Sequence, residues 1–160
     1  MADLVLALDV TERHTALHIA SACAPYLDAV KIGYPLVLWE GMGIAAELRP
    51  LGLPLVADFK VADIPSTNTM IAEAVFSAGF DGIICQGFPG PDSVGACVDL
   101  AHDHGGRCFV VAEMSHPGAP VFFSGGVPEK ITAMAREAGA DGIIAPATRP
   151  ERVRALREKA

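Results

Sequence analysis

Short aliphatic and β-branched runs recur along the chain at residues 4–8, 29–32, 55–57, 82–85, 108–112 and 142–145. Their starts lie about 25–35 residues apart, and apolar positions at helical spacing fill each gap. Such runs alternating with helical patterns predict successive βαβ units and a parallel sheet. The phrases Ala78-Gly79-Phe80-Asp81-Gly82-Ile83-Ile84 and Ala138-Gly139-Ala140-Asp141-Gly142-Ile143-Ile144 nearly repeat each other. In each, a Gly ends a helix and an Asp-Gly turn starts a strand.

Helix starts are marked by Thr11 as a first cap and by Pro35, Pro65, Pro91, Pro128 and Pro150 at or near first turns. Thr148 and Glu151 have capping-box spacing, which predicts the start of a sixth helix at Thr148. Val94, Cys97, Val98 and Ala101 form one inward stripe, and Ile131, Met134, Ala135 and Ala138 another. The count is six strands and six helices in one domain over residues 1–160, with no linker or shift in composition. An eight-unit (β/α) barrel needs two more units, about 50 further residues at this spacing. Periodicity alone leaves open a doubly wound sheet instead.

Composition narrows the function classes. A hydrophobic fraction of 51% supplies a sizeable core and excludes intrinsic disorder. Twelve Lys and Arg against 19 Asp and Glu give a net charge of −7, which disfavours nucleic acid as a partner. No apolar run approaches the ~18–20 residues of a membrane span, and the N-terminus carries no signal-peptide pattern. Cys23, Cys85, Cys97 and Cys108 lack CxxC spacing and read as core thiols in a reducing cytoplasm.

The polar chemistry sits where the apolar runs end. Asp9 follows the first, Lys31 closes the second, and Asp58 and Lys60 belong to the third. Gln86 follows the fourth, Glu113 and Ser115 the fifth, and Pro146 with Thr148 the sixth. C-terminal strand ends of a parallel α/β sheet share one rim, so these groups are expected to converge there. The sharpest motif is Asp58-Phe59-Lys60-Val61-Ala62-Asp63-Ile64-Pro65. Strand period two puts Asp58 and Lys60 on one face and Phe59 on the other, while Asp63 follows the strand. With Lys31 this makes two cations and two anions, each holding the others ionised. Such an array suits a reaction that repels an anion, stabilises developing negative charge and delivers a proton from a lysine.

Other candidates carry less. His14 and His18 have helical i, i+4 spacing but no HExxH pattern or third ligand, and His102 and His104 fall near a helix end. Gly87-Phe88-Pro89-Gly90 and Gly125-Gly126 match neither a P-loop nor a dinucleotide fingerprint. Residues 114–126, with Ser115-His116-Pro117-Gly118, make a long βα loop of the kind that covers or binds ligands. Ser115 lacks a GxSxG elbow and is not read as a nucleophile.

At residues 58–65 the sequence closely resembles the orotidine 5′-phosphate decarboxylases of the shorter, archaeal type. The likeness extends through Leu6-Ala7-Leu8-Asp9, Val30-Lys31-Ile32-Gly33-Tyr34-Pro35, Thr67-Asn68, Gly87-Phe88-Pro89-Gly90, residues 113–118 and Thr148-Arg149-Pro150-Glu151-Arg152. The resemblance implies a TIM barrel, a homodimer, and conversion of orotidine 5′-monophosphate to UMP and CO₂ in pyrimidine biosynthesis without a cofactor or metal. It implies that Lys60 protonates C6 after CO₂ leaves and that Asp58 crowds the substrate carboxylate and positions the lysine. Asp63 resembles the aspartate supplied across the dimer interface, where Thr67 also reaches the partner's ligand. Lys31 and Asp9 resemble the ribose-contacting pair, Lys31 belonging to the charged network as well. Ser115 resembles the residue that bonds the pyrimidine amide edge, and Pro146 part of the pocket wall. Gln86 stands where related sequences commonly carry His.

The family's phosphate-gripping Gln and Arg come from the seventh and eighth units, whereas this sequence reaches Ala160 in the sixth helix. The expectation is therefore an incomplete barrel lacking its last two βα units, with weak or absent turnover if 160 residues are all that exist. Two alternatives follow. One is a non-catalytic fragment that binds nucleotide or serves in assembly. The other is a magnesium-dependent sugar-phosphate lyase of the same superfamily, which shares Asp-x-Lys-x-x-Asp.

Overall fold

The computed structural model describes residues 3–160. Six strands form one parallel sheet in sequence order: β1 (Val5–Ala7), β2 (Ala29–Gly33), β3 (Leu55–Val61), β4 (Gly82–Gln86), β5 (Arg107–Val111) and β6 (Gly142–Ile144). Every predicted run is a strand to within a few residues. In-order parallel strands with a helix after each curl into an incomplete TIM-type barrel. A doubly wound sheet would reverse its strand order, so that alternative is excluded.

The helices are α1 (Arg13–Cys23), α2 (Tyr34–Glu40), α3 (Ile44–Leu48), α4 (Pro65–Ser77), α5 (Pro91–Asp103), α6 (Val127–Glu137) and α7 (Pro150–Arg157). The gap between β2 and β3 holds two short helices instead of the single one expected. Gly41, at φ +80°, ends α2 in a conformation other residues resist, and a second helix begins after Gly43. Two caps also differ from expectation. Glu12, not Thr11, caps α1, its carboxylate accepting from the amides of His14 and Thr15 at 2.8 and 2.7 Å. Hydrogen bonds from the Thr15 hydroxyl and these two amides pull the Glu12 carboxyl down to about 2. Helix α7 starts at Pro150 after Arg149, with no side-chain cap, so Thr148 does not begin it.

One core lies between the outer face of the sheet and the helices. Val30, Ile32, Leu55, Ala57, Ile83, Cys85, Cys108 and Val110 meet Val94, Cys97, Val98, Ala101, Ile131 and Ala135, all essentially buried. The stripe of α5 is buried throughout. In α6, Met134 and Ala138 are only partly covered. The repeated Asp has a specific task at the N-terminal edge of the sheet. Asp28, Asp81 and Asp141 each accept the amide of the preceding strand segment, from Leu4, Leu55 and Cys108, at 2.7–2.8 Å. The inner face, including Val5, Lys31, Val56, Ile84, Phe109 and Ile144, lines a trough of about 960 Å³.

Candidate active site

Strand β3 carries the centre of the site. Its pairing with β4 is regular at Ala57↔Ile83 and resumes at Val61↔Cys85, so β3 spends two more residues than β4 over the same stretch. This bulge re-aims the side chains it contains. Within it Lys60 has φ +47°, the one non-glycine residue with positive φ among the described residues. Phe59 and Val61 on either side are buried, and Phe59 stacks on Tyr34 at 4.9 Å and meets Phe80 edge-on at 6.0 Å. Packing therefore pins both flanks of the lysine.

The result is a carboxylate held between two ammonium groups. Asp58 Oδ2 accepts from Lys31 Nζ at 2.5 Å and Oδ1 from Lys60 Nζ at 2.7 Å. The Asp58 side chain is 9% exposed, against 25% for Lys31 and 38% for Lys60. Burial pushes the Asp58 carboxyl up, but bonds and charge from the two lysines outweigh it and hold it below the ordinary carboxylate range. Asp58 is thus an anion at neutral pH, and both lysines remain partly exposed.

The other expected residues distribute around this trio. Asp9 follows β1 at the rim, its Oδ1 lying close to Gly33 of β2. Pro146 is buried just beyond β6, and Ser115 is exposed beyond β5. Asp63 is exposed and bonded to neither lysine; its Oδ1 accepts the Ile64 amide at 2.7 Å. Thr67 is half-buried in the first turn of α4. Within one chain, then, Lys31, Asp58 and Lys60 meet, and Asp63 stands apart. His14 and His18 are exposed on α1. His102 pairs with Asp141 and His104 with Glu73, both at 3.1 Å, away from the strand ends that carry the trio.

Two supporting clusters were not anticipated as such. Glu113, 2% exposed, receives Arg149 Nη1 at 3.1 Å and Arg152 Nε at 2.9 Å, while Arg149 Nη2 donates to the Met114 carbonyl at 2.9 Å. This clamps the chain next to Ser115. Asn68 and Ser93 are both buried and bind the main chain of Asp63. Asn68 lies four residues before Ala72 and seven before Val75 on the buried face of α4, a polar residue at an apolar position that is visible in the sequence. Gln86 is buried at the end of β4 with Oε1 unpartnered among the described residues.

The chain is similar in sequence and in fold to proteins of one family. Residues 2–160 match the model of the orotidine 5′-phosphate decarboxylase / HUMPS family. Orotidine 5′-phosphate decarboxylases of Methanococcoides burtonii and Thermococcus kodakarensis are 55% and 49% identical over 97% and 98% of this chain, which covers 71% of each of them. The crystal structure of the Methanocaldococcus jannaschii decarboxylase complexed with the inhibitor BMP superposes with a TM-score of 0.96 at 46% identity. It covers all of this chain, which in turn covers 74% of it. That of Pyrococcus horikoshii gives 0.90 at 41%, over 98% of this chain and 73% of the other. With matched sequence, matched fold and the Asp-x-Lys-x-x-Asp strand at the rim, the chain belongs to the orotidine 5′-phosphate decarboxylase / HUMPS family.

Proposed function

We propose that this chain binds orotidine 5′-monophosphate at the rim and decarboxylates it to UMP and CO₂, in pyrimidine biosynthesis, using its own side chains. The observation that carries this reading is the Asp58 carboxylate fixed between Lys31 and Lys60 at 2.5 and 2.7 Å. A substrate carboxylate brought beside Asp58 meets like charge, which disfavours the bound anion relative to neutral CO₂. The bond from C6 to the carboxyl carbon breaks, CO₂ leaves, and the electron pair remains on C6. Lys60 stabilises that pair as an ammonium ion and then transfers a proton from Nζ to C6. The amine left behind takes a proton from solvent. Asp58 holds Nζ on its path throughout.

Asp9 and Lys31 contact the ribose, Ser115 bonds the pyrimidine amide edge, and Pro146 walls the ring. Asp63 and Thr67 serve the site of a second copy. In support of a homodimer, Tyr34, Leu38, Trp39, Ile64, Met70 and Phe88 are exposed beyond the C-terminal ends of the neighbouring strands β2, β3 and β4. Apolar groups left in water on this scale mark a contact surface. Residues 1–160 are read as one barrel domain, since a single sheet and a single core run through the described residues. No helix among them is long and apolar enough to cross a membrane. The cytoplasm is the proposed location, because four free cysteines, three of them buried, suit a reducing compartment.

The test follows the ultraviolet absorbance of orotidine 5′-monophosphate with and without EDTA. Chelator-insensitive loss of substrate is expected. That outcome would exclude the magnesium-dependent sugar-phosphate lyases; a chain inert toward the nucleotide but active on a sugar phosphate with magnesium would favour them, and a well-folded dimer inert toward both would favour the non-catalytic reading. Lys60→Ala is expected to abolish turnover while retaining a bound nucleotide monophosphate. Turnover like that of the unaltered chain would overturn the proton-donor role.

A further inference from the structure

We infer that Asn68 and Ser93 are positioning residues for Asp63, acting through its main chain. The inference rests on the reading above, in which Asp63 serves the site of a second copy. Asn68 is fully buried and Ser93 is 4% exposed, one on α4 and the other on α5. Buried polar side chains persist where every bond is made, and here the bonds close a ring. The Asp63 amide donates to Asn68 Oδ1 at 3.1 Å, Asn68 Nδ2 donates to Ser93 Oγ at 2.7 Å, and Ser93 Oγ donates to the Asp63 carbonyl at 2.8 Å. Asn68 Nδ2 also reaches the Ser93 carbonyl at 3.1 Å.

Both peptide groups of Asp63 are therefore held, one at its N–H and one at its C=O. The carboxylate is fixed next, because its Oδ1 accepts the Ile64 amide at 2.7 Å. A pair that served only to join α4 to α5 would need just the bonds between Asn68 and Ser93. The two bonds to Asp63 orient an exposed residue that lies beyond the end of β3 and outside the Lys31–Asp58–Lys60 trio. A carboxylate that must meet the ligand of another copy cannot be tied down by a side chain of its own chain, so the neighbouring backbone has to fix it.

Two measurements on the full chain test this. Amide hydrogen exchange at Asp63 needs no substrate. Ser93→Ala, which removes one hydroxyl, is expected to speed it three- to tenfold, with the amides of β4 unchanged. Asn68→Ala should do the same more strongly, and unchanged exchange at Asp63 in Ser93→Ala overturns the inference. The second measurement is a double-mutant cycle on kcat/KM for orotidine 5′-monophosphate. Ser93→Ala is expected to cost three- to tenfold with Asp63 present and less than twofold in the Asp63→Asn background. Equal losses in both backgrounds would make Ser93 merely structural. A chain that never turns the nucleotide over refutes the functional reading, and the exchange rates still decide the positioning role.

Discussion

Glu113 is the most deeply buried carboxylate in an ion pair, and replacing it tests how the rim beyond β5 is held. Its two oxygens meet Arg149 and Arg152 at 3.1 and 2.9 Å, and Arg152 also meets Glu129 at 2.8 Å. The four charges sum to zero. Glu113→Gln keeps the shape but leaves a net positive charge, with an amide facing two guanidinium groups. Breaking a fully buried pair costs about 3–5 kcal/mol. The arginine side chains here are 33% and 29% exposed, so water recovers part of that, and we expect about 2–4 kcal/mol. For a chain of this size, that is a fall of about 4–15 °C in Tm. Far-UV circular dichroism in thermal and urea denaturation measures it. Arg149→Met should lose part of the same stability, and combining it with Glu113→Gln should cost less than the sum. A Tm within about 2 °C of the unaltered chain for Glu113→Gln would show that the cluster is too wet to matter.

Three other outcomes are expected. Gly87→Ala would put a Cβ 2.1 Å from Ile131 Cγ2 and 3.2 Å from the Val111 carbonyl, costing about 1–3 kcal/mol in urea denaturation. Gly43→Ala, with nothing within 4 Å, is the control; equal effects would contradict the packing argument. Asp58 has a lowered carboxyl in the folded chain, so its contribution to stability is present above the ordinary value of 3.8 and lost as pH falls through the folded value. The urea midpoints of the unaltered chain and Asp58→Asn should therefore draw together as pH falls below 3.8, and a gap that stays constant across that fall would refute the linkage. Finally, Lys60→Gly should be about 1 kcal/mol more stable than Lys60→Ala, because both lose the ammonium but only Ala keeps a Cβ at φ +47°. The reverse order in urea denaturation would mean that the bulge relaxes when the lysine is removed.

The sheet was legible because the strands of a parallel sheet are nearly continuous in apolar residues, and six such runs are evenly spaced. Periodicity could not choose between a barrel and a doubly wound sheet, which share that pattern and differ only in strand order. The caps were misread for a local reason. Thr11 has the favoured residue type, but the longer Glu12 carboxylate reaches two amides at once. Of the site, the Asp58–Lys60 pair follows from strand period two, and Lys31 from its place at the end of the neighbouring strand. Glu113 with its two arginines spans 36 and 39 residues, and Asn68 with Ser93 spans 25. Contacts at that separation depend on how the helices seat on the sheet, which one sequence does not encode in any local pattern.

The bulge in β3 adds to the centre of the site a geometry that strand period two does not contain. In a flat strand, alternate side chains stand in a row, and Asp58 and Lys60 would lie side by side on the pleat. Here two extra residues and a left-handed lysine turn that row, so that Nζ comes to 2.7 Å from a carboxylate only two positions away. A non-glycine residue in this conformation costs about 1–3 kcal/mol, offset by the burial of Phe59 and Val61 on either side of it. Glycine would relieve the strain but carries no proton to give. The chain therefore departs from local preference at the one residue whose ammonium group the proposed chemistry requires, and nearby aromatic packing makes that departure tolerable.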